Sequence, residues 1–198
     1  MNVAIKSNSG MHEVGLNALL LGQRVIYLTG EVNEAMALNF AQQAAYMNSE
    51  DDKAPIKVFI DSNGGSVQDG LTIYDIIQGS PAPMKLYCMG KAYSMAAVLF
   101  ASGQHGRYMM PHSQLMIHEP LIQTGVAGKT SSIQTVAESM LRTKKQLAEI
   151  LAQHTKQPLG KLEKVMKEDT FFTAQQAVEF GLADGVKGFG DMMMGGRA

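Results

Sequence analysis

Apolar and polar positions along this chain alternate between two regimes. Short β-branched or aromatic runs of strand length are followed by longer stretches in which apolar residues recur every three to four positions. Arg24–Thr29 is such a run and stops at Gly30. Asn33 can cap a helix extending to about Met47, with Glu34 favourably placed in its first turn. Ile56–Ile60 is a second run, closing on Asp61-Ser62-Asn63-Gly64-Gly65. Ser66 can cap a helix carrying Val67, Leu71, Tyr74 and Ile77 and stopping at Gly79. Lys85–Met89 is the third strand, ended by Gly90, and a helix of small residues follows from about Tyr93 to Ser102. Short strands at Arg107–Met109 and Gln114–Ile117 bracket Pro111. This order of strands and helices predicts an α/β fold with a mostly parallel sheet covered by helices.

Beyond residue 130 the pattern changes. Ile133, Val136, Ala137, Met140, Leu141, Leu147, Ala148 and Leu151 form an apolar stripe on one helix from Ser131 to about Gln153. At roughly 1.5 Å per residue that helix exceeds about 30 Å, more than a small core covers. It either protrudes toward a partner or lies across one sheet face. Gly160–Lys167 and Ala174–Phe180 are two further short helices, the last ended by Gly181, and the Gly- and Met-rich tail 188–198 is expected to be flexible.

Composition narrows the function classes. The 198 residues suggest one domain with its own core. Lys plus Arg is 17 and Asp plus Glu 18, a net charge of −1 without the basic stripe of a nucleic-acid binder. No apolar run approaches the roughly 18 residues of a membrane span. Met1–Gly10 lacks the apolar core of a signal peptide, and the lone Cys88 forms no internal disulfide, so a cytoplasmic protein is expected. Gly188, Gly190 and Gly195 miss the phosphate-loop spacing, and neither HExxH nor CxxC occurs, so no metal and no cofactor are expected. Charged residues are only 18%, against a usual value of about 25%, beside 15 Met and 20 Gly. Such a deficit points to surface hidden by partner chains.

Three places could carry chemistry, each just beyond a strand end, where α/β sheets put their sites. Gly64-Gly65 before a helix leaves backbone N–H groups open to an oxyanion, or is simply a tight turn. Ser94, in Gly90-Lys-Ala-Tyr-Ser94-Met-Ala-Ala97, lies at a helix start where its alkoxide would be favoured, or is a cap; it does not sit in a G-x-S-x-G elbow. His118 follows the apolar strand Leu115-Met-Ile and precedes Pro120, so it either points into a cleft or is a satisfied core histidine. His12, His105, His112 and His154 sit in polar or loop-like contexts. A hydroxyl nucleophile needs a base near neutrality and a carboxylate to orient that base. Spacing alone does not choose among the 18 carboxylates.

Four motifs in order make the choice. Ile60-Asp-Ser-Asn-Gly-Gly65, Met89-Gly-Lys-Ala-Tyr-Ser94-Met95, Met110-Pro111 with Met116-Ile-His118-Glu-Pro120, and Phe171-Phe-Thr-Ala174 through Ala177-Val-Glu-Phe-Gly-Leu182 resemble the ClpP family, the proteolytic subunits of the Clp protease. The resemblance is collinear from about Val25 to Val186. It implies a ClpP/crotonase-like β-α-β superhelix with a protruding long handle helix. It implies a nucleophile at Ser94, a general base at His118, an orienting carboxylate at Asp169, and oxyanion N–H groups from Gly65 and Met95. One domain would span 1–198: an N-terminal segment to 20, a handle over about 121–153 with a groove-lining strand at 125–128, and the tail. The implied activity is a metal-free serine endopeptidase of the ATP-dependent type, hydrolysing unfolded proteins and short peptides through an acyl-enzyme. The implied partners are further copies of the chain, in two stacked seven-membered rings, and an AAA+ ATPase unfoldase.

The chain departs from the family pattern at four places. The proline that usually precedes the glycine doublet is Asn63, so the oxyanion loop is expected either to be looser or to be stiffened by an Asn63 hydrogen bond. Lys167-Glu168 stand where an arginine usually adjoins the catalytic carboxylate and pairs across the ring–ring contact. Lys57 and Gly79 match usually aromatic positions of the ATPase-docking cleft, while Phe59 keeps its ring. These changes motivate an alternative: a silent or partner-dependent paralogue in a mixed ring. An acyl-CoA enzyme of the crotonase type is a third reading, against which the Ser and His at nucleophile and base positions speak.

Overall fold

A computed structural model describes residues 1–7, 10–121 and 128–194. The chain opens with an antiparallel pair, β1 (Asn2–Ser7) and β2 (Gly10–Gly15), and a short helix, α1 (Leu16–Gly22). Sequence patterning predicts none of the three. The expected alternation then follows: β3 (Val25–Val32), α2 (Glu34–Glu50), β4 (Ile56–Gly65), α3 (Val67–Gly79), β5 (Met84–Tyr93), α4 (Met95–Ala101), β6 (Arg107–Met109) and β7 (Gln114–Ile117). Asn33 and Ser66 cap α2 and α3, accepting from the N–H of Met36 and Asp69. The remainder is α5 (Thr130–Thr155), α6 (Leu159–Val165), β8 (Thr170–Thr173), α7 (Ala174–Phe180), β9 (Gly185–Val186) and α8 (Phe189–Met194).

Strands β3, β4, β5, β6 and β9 lie side by side in that order, all parallel. The sheet forks at β5. Its first half, Leu86–Cys88, pairs with β6, and its second half, Lys91–Tyr93, pairs with β7. β7 in turn pairs antiparallel with β8. Strands β3, β4 and β5 run past the expected stops at Gly30, Ile60 and Gly90. Their ladders continue through register shifts between Thr29 and Glu31 and between Ile60 and Ser62 rather than ending.

Alternation along the parallel strands divides two apolar faces. Ile26, Leu28, Ile56, Val58, Ile60, Met84, Leu86 and Cys88 face the main core, against Phe40 and Met47 of α2, Ile73 and Ile77 of α3, and α4, whose seven residues are all buried. On the other face Tyr27, Phe59, Tyr87 and Tyr108 stack in a row at 5.3, 5.0 and 5.7 Å between ring centroids. The tail, expected to be flexible, instead folds α8 against this second face, burying Met192 with Phe59 and Tyr87; residues 195–198 lie outside the described residues. Lys57 Nζ donates to the Met193 carbonyl at 2.6 Å.

Helix α5 divides its length between core and solvent. Leu147, Ala148 and Leu151 are buried, whereas Ile133 is 45%, Val136 36% and Leu141 65% exposed. The groove-lining strand expected at 125–128 falls, but for Gly128, outside the described residues.

One side chain ties the helix ends together. The Arg107 guanidinium, 11% exposed, donates through Nη1 to the carbonyls of Ala101, His154 and Gly181 at 3.2, 3.3 and 2.9 Å, where α4, α5 and α7 end. Its other nitrogens fork onto Asp184. A cation at three helix C-termini offsets the negative ends of their dipoles. Beside it, His154 Nε2 lies 3.1 Å from Tyr74 Oη, and burial, then Arg107 and Lys156, holds the imidazole below its usual pKa. Arg107→Ala should cost about 2–4 kcal/mol by stranding these carbonyls and Asp184. Arg107→Lys should recover only part, because an ammonium cannot fork. Denaturant unfolding of the three proteins measures both.

Candidate active site

Ser94 follows β5 and precedes α4 with φ 54° and ψ −124°, a conformation costly for a residue with a Cβ. The surroundings leave it no choice. Its N–H donates to the Met116 carbonyl at 2.8 Å, continuing the β5–β7 ladder one step past Tyr93↔Met116. Its own carbonyl accepts from Ala97 and Val98 at 3.0 and 3.3 Å, and so starts the buried helix. The chain therefore passes from strand to helix at Ser94, between two fixed elements. Its hydroxyl makes no capping bond. Instead Oγ lies 2.8 Å from Nε2 of His118.

His118 follows β7, and Asp169 precedes β8. The antiparallel register pairs Ile117 with Thr170, so the next step outward sets His118 opposite Asp169. Their side chains meet at 2.9 Å between Nδ1 and Oδ1. Both strand ends are held. Glu119 N–H donates to the Met166 carbonyl at 2.8 Å, Thr170 Oγ1 to Val165 at 2.8 Å, and Lys144 of α5 pairs with Glu119. The imidazole side chain is 12% exposed and the carboxylate 62%. With hydrogen on Nδ1, the ring donates to Asp169 and accepts from the Ser94 hydroxyl, the protonation pattern a serine nucleophile requires.

The glycine doublet closes the site. Gly64 has φ +89°, and a Cβ there would stand 2.6 Å from the Tyr93 carbonyl, 2.8 Å from Ser94 Cβ and 3.0 Å from Met95 N. Gly65, at φ +149°, backs onto Val32, whose carbonyl a Cβ would meet at 2.3 Å. Only glycines let this loop touch the turn at Ser94. Met95 N–H lies in the first turn of α4, where helical N–H groups lack intrahelical partners.

The Asn63 side chain is exposed and makes no hydrogen bond among the described residues, so the bond expected of it is not formed there. The neighbouring Ser62, buried, donates to the Gly30 carbonyl at 2.5 Å and accepts from Gly64 N–H at 3.0 Å. Sequence reasoning passed over Ser62; a small hydroxyl inside a strand run, just ahead of a glycine doublet, was the available signal. Cys88, close by in β5, is buried, and burial pushes its thiol up to about 12. Among the described residues no three His, Cys, Asp or Glu side chains are placed to hold a metal ion.

A family model for Clp protease matches residues 8–188. The chain belongs to the Clp protease family. Membership makes it a peptidase, and the mostly parallel sheet with its covering helices is the family's ClpP/crotonase-like fold. The five positions marked by the family resemblance lie at the ends of β4, β7 and β8 and at the junction of β5 with α4. Ser94, His118 and Asp169 form one hydrogen-bonded chain, and Gly65 and Met95 belong to the loop and helix start beside Ser94. Among the described residues no helix is long and apolar enough to cross a membrane.

Gly64→Ala should separate the glycine loop from the Ser94 turn, because the clashing atoms are backbone or Cβ and cannot swing aside. Labelling of Ser94 by a fluorophosphonate is expected to slow by about 100-fold, the usual cost of misplacing a reacting group by about 1 Å.

Proposed function

We propose that this Clp protease family member is a serine endopeptidase acting on unfolded proteins and short peptides through an acyl-enzyme. The observation that carries the reading is the continuous chain Ser94 Oγ–His118 Nε2 and His118 Nδ1–Asp169 Oδ1, at 2.8 and 2.9 Å within a single subunit. Ser94 Oγ attacks the scissile carbonyl carbon while its proton passes to His118 Nε2. The carbonyl oxygen, now anionic, takes hydrogen bonds from Gly65 and Met95 N–H. His118 then gives its proton to the departing amine, leaving an ester on Ser94. A water attacks that ester, its proton going to His118, and the Ser94 Oγ–acyl bond then breaks, His118 returning the proton to Oγ as the carboxylic acid product leaves. Asp169 keeps the imidazole in the right tautomer and stabilises its cationic form.

Ser94→Ala is expected to abolish turnover of a short fluorogenic peptide and labelling by a fluorophosphonate. Asp169→Asn should leave labelling detectable and lower kcat by about 10³–10⁴-fold. Unchanged peptide cleavage by Ser94→Ala would sink the assignment. The alternative, a silent paralogue in a mixed ring, draws on Lys57, Gly79 and Glu168. It requires the purified chain to stay inactive until a partner subunit is added. A complete triad in one chain favours activity alone.

Self-association into stacked seven-membered rings is supported by α5, which presents Ile133, Val136 and Leu141 to solvent as a handle would. Docking of an AAA+ unfoldase has weaker support. Of the row Tyr27, Phe59 and Tyr87, the last two are buried with Met192 and Tyr27 alone is exposed, while Lys57 is already bonded to Met193 and Gly79 offers no side chain. A cytoplasmic setting suits a chain whose single thiol is buried. Light scattering should give a native mass that is a multiple of 21.4 kDa. Leu141→Asp, placed on the exposed half of α5, should lower that mass by about half through separation of paired rings.

A further inference from the structure

We infer that Ser62 is a positioning residue for catalysis: its hydroxyl sets the glycine loop at the distance from Ser94 at which the oxyanion is received. The inference rests on the serine-peptidase reading above. Ser62 sits where β4 loses regular pairing on both sides at once. Toward β3, Thr29 pairs with Asp61 but Glu31 pairs with Gly64, so Gly30 faces Ser62 and Asn63 without a partner in the ladder. Toward β5, Ile60 pairs with Cys88 but Ser62 with Ala92, skipping Met89–Lys91. Backbone pairing with β3 resumes only at Gly64 and Gly65, and across the gap between the two registers one side chain makes the connection.

The Ser62 hydroxyl donates to the Gly30 carbonyl at 2.5 Å and accepts from Gly64 N–H at 3.0 Å. Ser62 is 1% exposed, so water cannot substitute for either bond. The first bond fastens the loop to the neighbouring strand. The second orients the peptide of Gly64, and through it the following N–H of Gly65. Gly64 lies against Tyr93, Ser94 and Met95, so a shift of the loop changes the spacing between nucleophile and oxyanion donor directly. Ser62 touches neither substrate nor nucleophile. Its contribution is to the geometry of the tetrahedral intermediate, not to the grip on the bound peptide.

A kcat-against-KM split tests this in the full assembled protein, with a short fluorogenic peptide as substrate and a peptide boronate as tetrahedral mimic. Ser62→Ala should lower kcat by about 10–100-fold with KM within about threefold. Its affinity for the boronate should fall in proportion to kcat/KM, while a non-cleaved product peptide binds as before. Ser62→Cys, close in volume but with a weak donor, should fall between parent and Ala, and it decides the matter if the Ala protein does not fold. Parental kcat in either folded variant overturns the inference. So does a fall in product-peptide binding equal to the fall in boronate binding, which marks a merely structural role. Absence of phosphonate labelling in the parent protein, with Ser62 intact, would overturn the serine-peptidase reading itself.

Discussion

The turn at Ser94 is the constraint to which the rest of the site is fitted. A strand on one side and a helix with no exposed residue on the other force this residue to φ 54°, and neither neighbour can give way without opening the core. Strain of this kind costs about 1–3 kcal/mol and persists only where packing over-determines it. Here Met116 holds the amide, the first turn of α4 holds the carbonyl, and the side chain alone is left to project. The fold thus converts core stability into a fixed direction for one hydroxyl.

His118 and Asp169 are positioned by different physics. They are 51 residues apart in sequence, yet they are adjacent because β7 and β8 share an antiparallel register whose next unpaired step is theirs. Nothing local in either segment contains that information. This explains why β-branched runs, caps and glycine stops were sufficient to draw β3 to β7 and the helices between them, while spacing left all the carboxylates equivalent. The family resemblance singles out Asp169, and the pairing of two short strands sets it against His118. The short β8, Thr170–Thr173, carries too little pattern to be recognised before its partner is known.

Glycine misled the reading of strand ends for a related reason. Gly30 and Gly90 look like stops, but a parallel ladder between buried strands absorbs them as shifts of register and continues. Those shifts in turn leave backbone groups without ladder partners beside the glycine doublet, and the hydroxyl of Ser62 occupies that gap. Asn63, which departs most visibly from the family pattern, is exposed and makes neither of that hydroxyl's bonds. Similar economy appears at Arg107, where one guanidinium gathers helix ends that the sequence places far apart. Side chains that bridge irregular backbone are invisible to periodicity, because periodicity records faces rather than gaps.

Helix α5 starts without help: Lys129 supplies no capping bond, and its first turn holds no acidic residue. Only the later turns touch the core. For a segment of that kind, propensity alone is marginal, and order depends on what covers it. In the ring assembly proposed above, its folding and its burial between subunits would be one equilibrium, so that dilution would act on the helix as a denaturant does.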